Sequence, residues 1–339
     1  MRARIAREAG DLLRAYRRAL YCSPHTTAGY LEQSLSTRLR HDQDQLSRFI
    51  GSFGVVFPQG AQYRHDQMEL RTELSDAQKE AEPHNADSHL TFIGAGLRNC
   101  VTYRTDTGAP VYFIDLDGTT DAMCRVRETM VVAYDEERVV EKTSVTIPVS
   151  KHPIDSINLA DERFGLIDQV NELLARTGLE HGRVDVLLAP VERHAGLTVN
   201  EYETLLMRHD LLEVLRNPLH FAKVKGRSML DDPRTIPGKT LSYAKYDMVR
   251  VLNSLMEALG LEQSSLERLV AKVMALPARR FIRSRRVSFL AAPAPGATAA
   301  RLVRGTYQSP ILVQWQAAQA QERRLDISIV QLSRQPARR

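Results

Sequence analysis

Tryptophan is nearly absent from this 339-residue chain, which has one, and aromatic residues make up 6% of it. Its three cysteines, Cys22, Cys100 and Cys124, lack the number and spacing of a disulfide framework or a zinc knuckle. Reduced thiols are therefore the expectation. No apolar run approaches the roughly 18 residues of a membrane-spanning helix. The opening MRARIAREAGDLLRAYRRAL spaces arginines along a helical pattern where a signal peptide would have an apolar block. These absences predict a cytoplasmic protein with no membrane contact. Net charge is small for the length, +5, and part of the excess sits in ARRFIRSRR (278–286) and the terminal RQPARR. No nucleic-acid-binding module accompanies those arginines, so nucleic acid is not the expected partner.

The residues that are present, 43% hydrophobic and 26% charged, suffice for a sizeable core, and the length suits two domains. EAGDLLRAYRRAL and GLIDQVNELLARTG carry apolar residues at helical spacing, while RVDVLLAPV, VYFIDLDG and RRLDISIVQL read as strands. Helices and strands thus mix along the chain, which predicts an α+β class. The chain also repeats itself. SPHTTAGYLEQSLSTRLRHDQDQL (23–46) lies beside APVERHAGLTVNEYETLLMRHDLL (189–212), sharing an Ala-Gly pair and a later RHD. GAPVYFIDLDG…RVRETMVVAYD (108–135) lies beside GTYQSPILVQW…RRLDISIVQL (305–332). Two tandem copies follow, 1–138 and 139–339. The first lacks the opening strand that TSVTIPV supplies to the second, and the second carries a helical insertion at about 243–280.

HTTAG, RHD, YRHD (63–66), HNADSHL (84–90), and a strand pair with DG and RVR resemble the YjbQ family, the secondary thiamine-phosphate synthases. The second copy is similar through GLIDQVNELL, AGLTVNE, RHD and GTYQ, with a degenerate middle. The resemblance implies a compact α+β fold, a homo-oligomer, specifically a trimer, and a pocket that gathers histidines and carboxylates. Matched residue by residue, it assigns His25, Asp42, His65, Asn85 and His89 to that pocket. The Asn-Glu pair expected after the glycine is Gln33-Ser34 here, so one carboxylate is missing.

In chemical terms, His25, His65 and His89 could hold a divalent metal, zinc or magnesium, with Asp42 nearby. Such an ion would polarise a phosphate or activate water. Thr26, Thr27 and Asn85 could hold the substrate, a small phosphorylated or pyrophosphorylated compound. Asp42, His89 and Glu201 are the candidate catalytic groups. Glu201 enters because the second copy keeps Asn200-Glu201 while replacing His25 by Glu192 and the threonines by Arg193 and His194. A composite site would borrow that carboxylate; the alternative is that Asn200-Glu201 caps the following helix. His41 and His84 are expected to be solvated, Cys22 to be a packed thiol, and DLDG (115–118) to be a turn. Three functions remain open: a thiamine-phosphate synthase-like transferase, a non-catalytic metabolite- or metal-binding protein on the same scaffold, or an interaction protein that holds an acidic partner or nucleic acid through its basic C-terminal half.

Overall fold

The computed structural model describes all residues except 11, 119–124, 219, 223, 226–280, 283, 295 and 335–339. The insertion expected at about 243–280 and Cys124 lie outside the described residues. In chain order the elements are α1 (Arg2–Ala9), β1 (Arg18–Cys22), β2 (Ala28–Gly29), α2 (Gln33–Arg38), α3 (Gln43–Val56), α4 (Asp76–Ala81), α5 (Ala86–Gly94), β3 (Cys100–Arg104), β4 (Ile114–Asp115) and β5 (Met130–Tyr134). There follow β6 (Glu136–Pro148), β7 (Asp155–Asn158), α6 (Leu166–Thr177), β8 (Gly182–Leu188), β9 (Ala195–Asn200), α7 (Leu211–Arg216), β10 (Arg286–Pro293), β11 (Ala300–Val303), β12 (Ser309–Gln314) and β13 (Glu322–Ser333). A wide helical turn, Leu206–Asp210, precedes α7. The class is α+β, as the mixed periodicity predicts. EAGDLLRAYRRAL, read as helical, is not one helix: α1 ends at Ala9, and the last three residues of that stretch, RAL, open strand β1, four of whose five side chains are buried in a row.

The duplication is visible in the strand order. In the first copy β1 runs between β3 and β5, and in the second β8 runs between β10 and β13, all antiparallel. The Ala-Gly pairs also match. Ala28-Gly29 pairs with Asp115-Ile114 across β2 and β4, and Ala195-Gly196 pairs with Gln314-Val313 across β9 and β12. The second copy adds β6 beside β13, β11 beside β10 and β7 beside β12. Among the described residues nothing extends the first copy's sheet beyond β5, which is the edge that a copy without its opening strand would leave. The division expected near residue 138 falls inside β6, which pairs with β13 on both sides of that point, with a register shift at Val140.

Contacts divide the chain into two compact units in another way. One unit consists of 1–34, 96–202 and 282–339; the other of 35–95 and 203–281. Among the described residues every strand belongs to the first unit, and the second is built from what each copy inserts after its Ala-Gly strand. Both copies therefore contribute to both units.

Within the strand unit, α6 buries Leu166, Val170, Leu173 and Leu174, a helical stripe, against Val184, Val186, Phe289, Leu325, Ile327 and Ile329. Gly178 ends the helix in the left-handed conformation, φ 62°, that glycine adopts without strain. A smaller cluster joins the copies: Leu20, Cys22 and Tyr134 of the first pack with Leu290, Val330 and Leu332 of the second. Polar groups reinforce this junction. Arg183 donates from Nε to Asp185 Oδ1 at 2.9 Å, from Nη1 to Glu137 Oε1 at 3.1 Å and Thr102 Oγ1 at 3.3 Å, and from Nη2 to Asp185 Oδ2 at 3.1 Å and Glu137 Oε2 at 3.2 Å. All its N–H groups are engaged. Ser288 donates to Asp185 at 2.6 Å, and Tyr134 donates to Glu137. Burial alone would raise the Glu137 carboxyl; the Arg183 and Tyr134 hydrogen bonds outweigh it and leave the group below its ordinary range.

In the second unit, α3 starts at Asp42, whose side chain accepts the Gln45 N–H at 2.8 Å, and buries Leu46, Phe49, Phe53 and Val56 along one side. The Phe53 and Phe57 rings stack at 6.3 Å, and Gly94 lies against both, where a Cβ would come within 3.1 Å of each ring.

Replacing Arg183 with leucine leaves two carboxylates without their cation at the junction. A loss of about 3–5 kcal/mol in unfolding free energy is expected from urea titration at neutral pH.

Candidate functional site

The expected site residues divide between the two units. His25, Thr26, Thr27 and Glu201 belong to the strand unit; Asp42, His65, Asn85 and His89 belong to the other.

In the second unit, His65 is fully buried and His89 is 1% exposed. Their rings meet edge to face at 5.4 Å. His65 Nδ1 donates to Glu203 Oε2 at 3.1 Å, and Nε2 lies 3.3 Å from Asn85 Oδ1. The Arg71 guanidinium stands 3.2 Å from the same Nδ1 and 3.9 Å from Glu203 Oε1. Asp210 accepts the backbone N–H groups of Arg64 and His65, each at 3.0 Å. Asp66 accepts the Ala86 N–H at the start of α5 at 3.1 Å. Burial opposes a charge on His65, yet the Glu203 hydrogen bond and Asp66 outweigh it and hold the imidazole above its ordinary value. Burial also raises Asp210, to about 6, against the two backbone donors. Glu203 stays below its ordinary range: burial would raise it, but His65 and the N–H groups of Leu205 and Leu206 stabilise the carboxylate.

This network contains three of the expected groups, His65, His89 and Asn85, and the second-copy carboxylate that joins them is Glu203. Asp42 stands apart from it as the exposed cap of α3. Glu201 belongs to the strand unit, where its N–H bonds the Asn200 side chain at 2.8 Å. His41, expected to be solvated, is half-buried with its ring bonded to Ser36 Oγ at 2.8 Å.

In the strand unit, β1 ends at Cys22 and the chain turns through Ser23-Pro24-His25. Ser23 Oγ donates to Ala28 O at 2.6 Å and accepts the His25 N–H at 3.3 Å. Gln308, 1% exposed in the GTYQ segment, donates from Nε2 to Ser23 O at 2.9 Å and His25 O at 2.7 Å. Gly305 approaches so closely that a Cβ there would lie 1.8 Å from Pro24 O. Together these contacts set the shape of the loop.

The His25 ring is half-buried. Its Nε2–H donates to Glu128 O at 3.1 Å, while Nδ1 faces Arg127 Nη1 at 3.5 Å. Arg127 is also bonded to Asp115 through Nε at 3.1 Å, and through Nη2 to Asp117 and to Thr27 Oγ1 at 3.4 Å. Thr27 donates to Asp117 at 2.6 Å, and Arg125 pairs with Asp117 at 3.0 Å. Thr26 contributes its carbonyl to Asn200 Nδ2 at 3.2 Å. Burial, then the Arg127 charge, lowers the His25 imidazole below its ordinary 6.5, so the ring is neutral near pH 7. DLDG therefore does more than turn the chain: Asp115 and Asp117 hold the arginine that faces the histidine.

The second copy repeats the loop device at a place the motif comparison passes over. Ser150 Oγ accepts the His152 N–H at 3.2 Å, and Gln314 Nε2 donates to Ser150 O at 3.1 Å and His152 O at 2.7 Å. Ser-x-His occurs in both sequences, SPH and SKH, and is the signal that could have found it.

A cavity of about 200 Å³ also opens in this unit, lined in part by Gln33, Ser34, Cys100, Thr102, Arg183 and Arg286. Gln33-Ser34 is the place where the resemblance expects Asn-Glu.

The donor set does not match the expected metal site. Among the described residues no three His, Cys, Asp or Glu side chains are gathered so as to hold an ion. Both His65 nitrogens and His25 Nε2 are already bonded to protein atoms. No helix among the described residues is long and apolar enough to cross a membrane.

No family model and no curated protein matches the chain. Among solved structures it is similar to a YbjQ-like protein of unknown function from Sulfolobus solfataricus, at 16% identity over 58% of this chain and 99% of that one, with a TM-score of 0.28. A hypothetical protein from Aeropyrum pernix matches at 18% identity over 56% and 98%, with a TM-score of 0.29. An uncharacterised YjbQ-family protein from Clostridium acetobutylicum matches at 12% identity over 55% and 98%, with a TM-score of 0.25.

His65→Gln should destabilise the protein by about 3–5 kcal/mol, because Glu203 loses its buried partner. The sign of the pH dependence follows from the two shifts. The raised His65 contributes stability that is present below 6.5 and lost as pH rises through its folded value. The lowered Glu203 contributes stability that is present above 4.5 and lost as pH falls through its folded value. Urea titrations of parent and variant should therefore differ most between pH 4.5 and 6.5 and converge on either side.

Proposed function

We propose that the chain is a YjbQ-type enzyme that takes a small phosphorylated or pyrophosphorylated compound bearing a heteroaromatic ring, and that His25 accepts a proton in the reaction. The observation that carries this reading is the state of His25: half-exposed, neutral near pH 7, and with its Nδ1 lone pair held only by a 3.5 Å contact. A neutral imidazole within reach of a ligand can act as a base; one sealed inside the protein with both nitrogens bonded, such as His65, cannot.

The surroundings suit the ligand. Arg127 directs four N–H groups at Asp115, Asp117, Thr27 and His25, which leaves one for a phosphate oxygen. The Thr26 hydroxyl is on the same loop. Tyr307, next to Gln308, is 70% exposed, and Val126, next to Arg127, is 89% exposed; they supply apolar surface for a ring. Thiamine-phosphate synthesis, the activity implied by the resemblance, belongs to this class of reaction. The chemistry proposed for the site uses no metal.

Release of phosphate or pyrophosphate from a panel of phosphorylated and pyrophosphorylated heteroaromatic compounds, each offered alone and with a phosphorylated heteroaromatic acceptor, tests the reading. His25→Gln is expected to lower kcat by about 10²–10⁴-fold while the affinity measured by calorimetry stays within a few-fold. Parent kcat should be level above pH 6.5 and fall in more acidic solution, where a proton occupies the base. Tyr307→Ala should raise KM and leave kcat unchanged. Turnover by His25→Gln at the parent rate would overturn the assignment, and binding without turnover by the parent would make the protein a metabolite-binding protein.

A further inference from the structure

We propose that Cys22 and Cys100 are a redox pair that closes into a cross-strand disulfide by exchange with a low-molecular-weight disulfide. The inference does not depend on what the His25 loop binds.

The two cysteines are far apart in sequence and directly opposite in the sheet, paired in register across β1 and β3. The kind of pair matters. The Ser23 N–H donates to Asn99 O at 2.7 Å, one residue outside the cysteines on each strand, which makes Cys22 and Cys100 a non-hydrogen-bonded pair. In such pairs the Cα atoms are about 4.5 Å apart and the side chains closest. That lies inside the roughly 4.4–6.8 Å range that a disulfide requires. No strand has to move. Both thiols are reduced, and Cys100 Sγ donates to Cys22 Sγ at 2.9 Å.

The surroundings give the two sulfurs different tasks. Cys22 is 2% exposed, and its thiol is pushed well above the ordinary range by burial, then by the Cys100 hydrogen bond, against the Arg183 charge. Cys100 is half-exposed and lines the cavity that Arg183 and Arg286 flank. A small oxidant entering there meets Cys100 first. The Cys100 thiolate attacks one sulfur of the small disulfide, forming a mixed disulfide and releasing one thiolate. Cys22, losing its proton to solvent, then attacks the Cys100 sulfur and releases the second. The protein loses two electrons and two protons; the oxidant becomes two thiols.

Closure would tie β1 to β3 at the residue before the Ser23-Pro24-His25 loop. It would thereby fix the base of the loop that carries the proposed base.

The full chain, reduced and then incubated with glutathione disulfide, tests the proposal by thiol titration after denaturation, intact mass and peptide mapping. The expected product retains one of the three thiols, is lighter by two hydrogens, carries no adduct and yields a peptide linking Cys22 to Cys100. Cys124→Ser should behave in the same way, with no thiol left. Cys22→Ser should stop at a stable glutathione adduct on Cys100, and Cys100→Ser should form no disulfide. Because Cys22 is buried, the half-exposed Cys100 variant also serves if Cys22→Ser does not fold. Three remaining thiols in the parent, a persistent adduct on its Cys100, or a linkage through Cys124 would each overturn the proposal.

Discussion

Arg183 is the group on which the strand unit depends. A buried guanidinium is tolerated only when every N–H has a partner, and those partners come from strands that belong to different copies: Asp185 from β8, Glu137 from β6 and Thr102 from β3. The same side chain thus charges for its own burial and cross-links the repeats. Ser288 and Tyr134 extend the bonding into β10 and β5. Apolar packing of Leu20, Tyr134, Leu290 and Val330 supplies most of the driving force at this junction, and its one-sided burial fixes register. The ion network adds directional bonds to it.

The histidines show how burial decides what a side chain can do. His65 sits among Glu203, Arg71, Asn85 and Asp66 with no exposed surface, and its charge stabilises the fold. His25 has fewer partners and more access, and partial burial together with the arginine across from it keeps it neutral. The two rings have the same intrinsic chemistry. Their environments set the two rings apart: one is sealed within a polar network, the other half-exposed beside an arginine.

Much of the fold was legible in the sequence because repetition and periodicity are local. The Ala-Gly pairs, the RHD segments and α6 could be read directly, and the strand order bears out the tandem arrangement. The site was less legible. Spacing could nominate His65, Asn85 and His89 but could not show that their partners were protein groups. The search for a second-copy carboxylate came within two residues, naming Glu201 where Glu203 meets His65. Strand β9 ends at Asn200, and beyond a strand end alternation no longer says which side chain turns inward. Asp42 is nominated as a catalytic group through the resemblance, yet a carboxylate just before a helix also serves as its cap. Arg127 and Gln308 were visible as letters of RVR and GTYQ. Their meaning lies in partners 102 and 283 residues away, a distance that pattern reading does not span.

The hydrogen bond from Gln308 to Ser23 joins residues 285 positions apart. During synthesis the glutamine that shapes the His25 segment emerges long after that segment. At ribosomal rates that interval is on the order of tens of seconds, long compared with helix or hairpin formation. Among the described residues the strands of the first copy pair only with one another and can form within it, whereas the His25 loop must pass it without the glutamine that shapes it. The chain between Ser23 and Gln308, which stand 285 positions apart, is therefore synthesised before the His25 loop takes its final shape.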